Sequence, residues 1–148
     1  MARYTPEAIQ VIGLAQGEAQ RLGFPFVQRE QLFLGLIQDE AVGRILTAAG
    51  MDLDNTRQAV ESRLIPGLGA PEDRAAIGLL PTAEQVYQHR AQTAAAMLGH
   101  SEVGPEHILL GFLLEQHGVV LEVLTEQGAT KDKIMDVIKR RNMQRGNS

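Results

Sequence analysis

The sequence contains no cysteine, which excludes disulfide bonds and thiolate catalysis and is typical of a chain in a reducing compartment. Only six aromatic residues are present, too few for a platform on which nucleic-acid bases stack. No apolar run reaches the length of a membrane-spanning helix, and residues 1–6 lack the apolar core of a signal peptide. We therefore expect a cytoplasmic protein with no membrane partner.

The common catalytic and cofactor-binding patterns are also missing. Gly67 and Gly69 are followed by neither a third glycine nor a Lys-Ser/Thr pair, so a phosphate-binding loop, and with it an ATPase, is excluded. No serine lies in a Gly-x-Ser-x-Gly turn, and the four histidines form no metal-binding pattern. We expect each histidine to be an exposed or half-buried side chain. We expect no catalytic residue, no metal and no cofactor.

An enzyme would need a histidine and a carboxylate that converge in a cleft. The sequence offers only His107 beside Glu106. Neighbouring side chains on a helix point about 100° apart, so this pair is not expected to act together. A hydrolase or lyase is therefore the least favoured class.

Charge is distributed unevenly along the chain. Residues 131–148 carry six basic and two acidic residues, including all three lysines, whereas the rest carries eight basic and sixteen acidic residues. The acidic body should repel a phosphate backbone, and the basic end complements the dipole of a last helix. We expect no nucleic-acid partner.

The chain contains an internal duplication. Residue types recur at a constant spacing of 76 positions, from Ala15-Gln16, Ala19, Leu22-Gly23, Val27, Glu30 and Leu34-Gly35 to Ala91-Gln92, Ala95, Leu98-Gly99, Val103, Glu106 and Leu110-Gly111. A duplicated unit of this length typically buries its apolar face against its copy. Any ligand site should therefore come as a pseudo-symmetric pair.

The apolar spacing predicts helices throughout and supports no strand. Four helices are expected in each copy. Seven of them begin near Thr5-Pro6, Glu30, Ala41, Asp52, Pro81-Thr82, Gly104-Pro105 and Thr130, and the seventh helix in chain order ends at Gly128. The predicted organisation is all-α: repeat one over 4–65, a Pro/Gly-rich linker over 66–80, repeat two over 81–142, and a polar, basic tail over 143–148. Both repeats are expected to pack as one pseudo-twofold-symmetric domain.

Two glycines lie inside the apolar helices of this pattern. Gly35 and Gly111 occur where alanine would be more stable by about 0.5–1 kcal/mol. Their recurrence in both copies predicts close contact between helices, which we expect across the pseudo-twofold axis.

Glu30 and Glu106 occupy matching positions in the first turn of the buried helix of each repeat. In one interpretation each carboxylate only complements the helix dipole. In the other, the carboxylate binds a guanidinium while the free N–H groups of the helix start bind an anion. Such a site would hold a zwitterion such as a phosphorylated arginine.

Three aromatic residues lie outside the helical pattern, Tyr4 before the first helix and Phe24 and Phe26 on either side of Pro25. Tyr4 is either a staple that packs against this loop or the linker, or an exposed part of a partner-binding groove. We favour the staple, with Phe24 and Phe26 partly exposed.

Two stretches resemble the Clp N-terminal repeat, which is found at the front of Clp unfoldases. They are Ala15-Gln16-x-x-Ala19-x-x-Leu22-Gly23 and Leu98-Gly99-His100-x-x-Val103-Gly104-Pro105-Glu106-His107-Ile108-Leu109-Leu110-Gly111. The family pattern runs roughly A-x-x-E-A-x-x-L-G-H-x-x-V-G-T-E-H-L-L-L-G-L, and the resemblance extends from about Tyr4 to Ile138. It implies two four-helix repeats in one domain, in agreement with the helical pattern.

The resemblance also implies a function. A ClpC-type domain receives substrates and adaptor proteins for the ATPase ring and its peptidase, and the matching glutamates, Glu30 and Glu106, would bind phosphoarginine-marked proteins. Cyclic peptides bind some relatives near aromatic residues at the start of each repeat, which correspond here to Tyr4 and the non-aromatic Leu80.

Four residues depart from the V-G-T-E-H segment of the family: Gln28, Arg29 and Gln31 in copy one and Pro105 in copy two. Arg29 replaces a small residue, and it could pair with Glu30 or attract the phosphate of a ligand. Pro105 replaces threonine and removes a hydroxyl and one N–H donor. Phosphoarginine binding is therefore better supported at Glu106 than at Glu30.

The expected function is that of a non-enzymatic binding module of the Clp protease and chaperone system. Its partners would be Clp ATPase or peptidase components, adaptors or protein substrates. The chain would be either the front domain of a longer unfoldase or a stand-alone accessory protein, in the cytoplasm or, if plastid-type, in the organelle stroma. The alternative is a stand-alone regulator or sequestering protein that binds the Clp core or a cyclic-peptide-like small molecule.

Overall fold

In the computed structural model, residues 3–65 and 67–146 are described, with side chains described as far as Met143. Pro66, the first residue of the predicted linker, and residues 147–148 of the predicted tail lie outside the described residues. The elements, in chain order, are β1 (Arg3–Tyr4), α1 (Pro6–Leu22), α2 (Arg29–Leu36), α3 (Glu40–Ala48), α4 (Leu53–Glu61), a 3₁₀ turn (Arg74–Ala76), α5 (Pro81–Gln85), a π-helical turn (Val86–Arg90), α6 (Ala91–Met97), β2 (Glu102–Val103), α7 (Pro105–Leu113), α8 (Val119–Glu126) and α9 (Lys131–Gly146). The predicted all-α fold is confirmed.

The helices of repeat one begin and end where the local signals indicate. The Ala8 amide donates to the Thr5 hydroxyl at 3.1 Å, and Gly23 ends α1 with a left-handed φ of 78°. The Asp52 carboxylate caps α4 by accepting from the Asp54 and Asn55 amides. α4 ends at Glu61, so the last residues of the predicted repeat one, 62–65, are not helical.

The centre of the core is formed by α2 and α7, the two helices that the sequence shows as apolar nearly all round. Phe33 and Phe112 meet edge to face across the pseudo-twofold, with ring centroids 5.6 Å apart and an interplanar angle of 84°. Both side chains are buried, as are the leucines that flank them. The duplicated helices therefore bury their apolar faces against each other.

Gly35 and Gly111 do mark close helix contacts, but the predicted partner was wrong. A Cβ on Gly35 would lie 2.5 Å from the Ala15 nitrogen in α1, and one on Gly111 would lie 3.2 Å from the Ala91 nitrogen in α6. Each contact is therefore made within one repeat, not across the pseudo-twofold. The reason is that the first helix of each repeat lies directly on the buried helix of the same repeat.

The π-helical turn results from one additional residue in repeat two. Pro6 and Ala15 are nine positions apart, whereas their counterparts Pro81 and Ala91 are ten apart. A single insertion into a helix is commonly absorbed as a π turn, which keeps the residues on either side in phase. Val86–Arg90 is that turn, so α5, the turn and α6 together correspond to α1.

Two short strand pairings, which the sequence did not predict, connect the segment before the first helix of each repeat to the other repeat. Tyr4 pairs with Val103 in a two-residue parallel ladder, and Leu79 forms an isolated parallel bridge with Val27. Since Val27 and Val103 are equivalent, the counterpart of Tyr4 is Leu79. The assignment of Leu80 was therefore one residue off, because the constant spacing of 76 does not hold before the π turn.

Part of the predicted linker is packed onto repeat one. Ile77 is fully buried, and its carbonyl accepts a hydrogen bond of 2.9 Å from the Gln16 side chain. The Val27 amide donates to the Gly78 carbonyl at 2.9 Å. In the described ranges, 3–65 and 67–146, no helix is long and apolar enough to cross a membrane.

Candidate functional site

A cavity of about 320 Å³ lies beside Glu106 and is formed by the N-terminal ends of three helices. Its lining comes from the starts of α1, α3 and α7 and from α9: Thr5, Glu7, Asp39, Glu40, Ala41, Arg44, Gly104, Pro105, Glu106 and Arg141. Repeat one supplies α1 and α3, and repeat two supplies α7 and α9. We call this the Glu106 cavity.

The Glu106 cavity carries charge of both signs. Four carboxylates and two guanidinium groups line it, and Arg44 is paired with Glu40. The Asp39 carboxylate is engaged in capping α3, since it accepts from the Val42 amide at 3.1 Å. Clustered carboxylates attract a cation, while arginines and helix N-termini attract an anion. The arrangement therefore suits a small zwitterion better than an ion of one sign.

Gly104 allows the Glu106 carboxylate to fold back over the start of α7. A Cβ on Gly104 would overlap Glu106 Oε1, so any other residue at this position would displace the carboxylate. The matching residue in repeat one is Gln28, so the same placement is not available to Glu30. Glycine at position 104 thus positions Glu106.

His107, next to Glu106, is only 4% exposed, which corrects the expectation of a surface or half-buried side chain. The Gly104 amide donates to His107 Nδ1 at 2.8 Å, which satisfies one backbone donor at the start of α7. Glu106 Oε1 lies 3.6 Å from the same nitrogen, closer than the expected divergence of the two side chains implied. Because Nδ1 already accepts the Gly104 amide proton, the pair is not an acid–base dyad.

His107 is one member of a chain of hydrogen-bonded side chains. Its Nε2 lies 2.8 Å from His100 Nδ1, and His100 Nε2 lies 3.2 Å from the side-chain amide of Asn142 in α9. Since His107 Nδ1 accepts a hydrogen bond and carries no proton, Nε2 of this neutral ring must donate, which makes His100 Nδ1 the acceptor and His100 Nε2 the next donor. The Asn142 amide must then present its oxygen. Burial lowers the pKa of His107 to about 4, with the neighbouring His100 as a second cause.

The equivalent position in repeat one is closed. The Arg29 guanidinium bonds to Glu115 Oε1 at 2.9 Å and to the His117 carbonyl at 3.2 Å, rather than pairing with Glu30. Only about 10 Å³ of cavity remains around it. The lining of this small cavity does not include Glu30, so Glu30 and Glu106 lie in unlike surroundings.

Gln31 replaces His107 in repeat one and reproduces only half of its bonding. Its Oε1 accepts from the Gln28 amide at 2.9 Å. Its Nε2 is buried and has no hydrogen-bond partner among the described residues. The residue that matches His100 is Phe24, which offers no acceptor.

Tyr4 packs as a staple, but against the helix of repeat two rather than against the loop or the linker. Its ring stacks on Tyr87 with a centroid distance of 4.8 Å, and its hydroxyl donates to the Tyr87 carbonyl at 2.6 Å. Burial raises the pKa of Tyr4. Phe24 is half-buried and Phe26 is 51% exposed. The residues lining the Glu106 cavity include none of these aromatics, which counts against an aromatic groove for a cyclic peptide.

Among the described residues, no group of three or more His, Asp or Glu side chains has a geometry that could hold a metal ion.

The family model described as the Clp repeat (R) N-terminal domain matches residues 3–127 and 81–147. The chain belongs to the Clp repeat N-terminal domain family.

Similar proteins include the chloroplastic chaperone ClpC of Pisum sativum, 41% identical over 134 residues that cover 89% of this chain and 14% of the relative. A ClpA homolog of Guillardia theta is 40% identical and covers 82% of this chain and 15% of the relative. The N-terminal domain of ClpD from Arabidopsis thaliana has a TM-score of 0.73 at 24% identity, with 95% of both chains covered. The Hsp104 N-terminal domain from Candida albicans has a TM-score of 0.72 at 21% identity, with 94% of this chain and 91% of that chain covered.

These matches show the family and the fold of this chain. The two solved structures are too distant in sequence to show more than the fold. The chain spans about a seventh of the length of the curated relatives. The matching family model and the matching ClpD structure both describe an N-terminal domain.

Proposed function

We propose that this Clp repeat domain is a non-enzymatic receptor for proteins entering the Clp system, and that the Glu106 cavity binds a phosphorylated arginine side chain. The observation that carries the proposal is the mixed charge of that cavity at three helix N-termini. The carboxylates of Glu7 and Glu106 would face the guanidinium part of the ligand. Arg44 and Arg141, together with the helix starts, would face the phosphoryl part.

For the partners and the location of this domain, we propose classes rather than individual proteins or one compartment. Protein substrates, adaptors and Clp ATPase or peptidase components are the partners that relatives of this domain suggest. The chloroplastic relatives make a plastid stroma one proposed location, alongside the cytoplasm expected from composition. Tyr4 is stacked on Tyr87, so the structure gives no specific support to the cyclic-peptide alternative.

Calorimetric titration with free phosphoarginine tests the proposal. The wild type should bind about one equivalent, and Glu106→Gln should weaken binding at least tenfold, since a charge-assisted hydrogen bond contributes about 1.5–3 kcal/mol. Glu30→Gln, the same change at the equivalent position of repeat one, is the matched control and should bind as the wild type does. Arginine alone and inorganic phosphate alone should each bind more weakly than the combined ligand.

Two results would contradict the proposal. Absence of phosphoarginine binding by a folded wild type would remove this ligand. Equal binding by wild type and Glu106→Gln would place the ligand elsewhere on the domain. Pull-down of Clp components by the wild type would then test the coarser receptor role separately.

A further inference from the structure

The side chain of Arg29 lies in a shaped pocket of the other repeat. Arg29 begins α2, and its guanidinium reaches Glu115 at the end of α7 and the carbonyl of His117 before α8. The Glu115 side chain is 10% exposed, so its carboxylate is largely removed from water. The second oxygen of Glu115 lies 3.3 Å from Arg90 Nε. A buried carboxylate of this kind requires a cationic partner.

The walls of the pocket match a flat guanidinium group. Phe112, Val120 and Leu121 supply apolar surface. Gly118 adopts a φ of +132°, and a Cβ there would lie 3.1 Å from Arg29 Cζ, at the centre of the guanidinium. The glycine therefore leaves room for the planar group while Glu115 and the His117 carbonyl accept its protons. Both hydrogen bonds come from Nη1, so it is the flat space beside Gly118, which admits the whole planar group, that favours guanidinium over ammonium.

The position of Arg29 is that of Pro105 in the duplication. Pro105 lines the open Glu106 cavity, whereas Arg29 extends into its own cavity and leaves about 10 Å³. Proline has no side chain that could reach across to the other repeat. The difference between an open and a filled site thus depends on one residue at the start of each buried helix.

We propose that Arg29 is an internal ligand: its guanidinium occupies a guanidinium-binding site built from Glu115, the His117 carbonyl and Gly118, and closes repeat one to outside ligands. The domain then presents one open site instead of the two that its duplication would otherwise give. Shortening Arg29 should create a site for small alkylguanidinium ions. This inference concerns a site other than the Glu106 cavity and needs no phosphoryl group.

Chemical complementation of Arg29→Ala with ethylguanidinium, the fragment that the substitution removes, tests the proposal. Millimolar ethylguanidinium should raise the thermal midpoint of Arg29→Ala, with the stabilisation growing as the logarithm of its concentration above the Kd, and calorimetry should show one saturable binding site that the wild type lacks. The double variant Arg29→Ala/Glu115→Gln should bind at least tenfold more weakly, because the carboxylate that receives the cation is gone. n-Propylammonium at the same concentration should give a smaller rise than ethylguanidinium.

Arg140→Ala is the matched control, since Arg140 pairs with Asp136 on an exposed surface outside both cavities, and it should gain no binding site for the added cation. Arg29→Gln, which is shorter and neutral but keeps more of the side chain, carries the same test if Arg29→Ala does not fold. Folded Arg29 variants that gain no binding, or a double variant that binds as well as Arg29→Ala, would overturn the proposal. Failure of phosphoarginine binding by the wild type would affect only the Glu106 cavity.

Discussion

The starts of α2 and α7 are copies of one ancestral turn, yet one is filled and the other is open. In repeat one, Arg29 crosses to Glu115 in repeat two and closes the space between the repeats. In repeat two, Pro105 leaves a cavity of about 320 Å³, and Gly104 lets Glu106 fold over the helix start. The duplicated backbone thus keeps both helix N-termini, while the side chain at each helix start differs and so does the space beside it.

The largest expected effect comes from Gly35 and Gly111, the glycines near the C-terminal ends of these two helices. Gly35→Ala would place a Cβ 2.5 Å from the Ala15 nitrogen, a backbone atom that cannot move without shifting α1. We expect a loss of about 3 kcal/mol or more in the free energy of unfolding, because overpacking against backbone exceeds the usual range. Gly111→Ala meets its neighbours at 3.1–3.2 Å beside the π turn and should lose only about 1 kcal/mol.

Urea denaturation of both variants measures this difference. Equal losses in the two variants would mean that the extra residue of the π turn gives repeat two no additional room. As a control, Gly111→Ala should give the same spectrum as the folded wild type. That result would show that the equivalent glycine position of repeat two tolerates a methyl group.

The second prediction concerns the pH dependence of stability, to which His107 should contribute and its counterpart Gln31 should not. The pKa of His107 is lowered to about 4 from an ordinary value of 6.5, so the unfolded chain binds more protons than the folded one between these pH values. The stability from this group is present above about pH 6.5 and is lost as the pH falls toward 4. At 1.36 kcal/mol per pH unit, the loss is about 2–3 kcal/mol.

Denaturation from pH 7 to pH 4 checks this prediction against His107→Gln, which gives repeat two the residue found in repeat one. The variant should be less stable than the wild type at pH 7, because Nε2 no longer donates to His100 in the same geometry. It should also lose the His107 part of the pH dependence. An unchanged pH profile in His107→Gln would assign the dependence to other groups.

Features with local signals could be predicted from the sequence, and features set by long-range partners could not. The Thr5 cap, the Gly23 stop and the burial of α2 and α7 depend on residues within a few positions of each other. The Arg29–Glu115 bond joins residues 86 positions apart, and nothing near Arg29 identifies that partner. The same holds for Asn142, which reaches His100 from the last helix.

Two other features, the π turn and the match of Tyr4 with Leu79, can be predicted from the sequence only if the residues before Ala15 and Ala91 are aligned separately. The constant spacing of 76 begins at Ala15, so the extra residue between Pro81 and Ala91 falls outside it. Counting from the two prolines would have predicted both the π turn and the match of Tyr4 with Leu79. Gly35 and Gly111 correctly indicated close packing, but a glycine does not identify which helix approaches it.

The smallest expected effect concerns the two repeat starts, where Tyr4 pairs with Val103 and Leu79 pairs with Val27. Tyr4→Phe keeps the ring on Tyr87 and removes only the hydroxyl that donates to the Tyr87 carbonyl at 2.6 Å. We expect a loss of about 0.5–1.5 kcal/mol in urea denaturation, the usual contribution of one hydrogen bond. Tyr4→Leu, which copies the residue of the other repeat, should lose more, since the stacked ring is removed as well. If Tyr4→Phe and Tyr4→Leu were equally stable, the ring would contribute nothing, and the tyrosine would hold the repeat start through its hydroxyl alone.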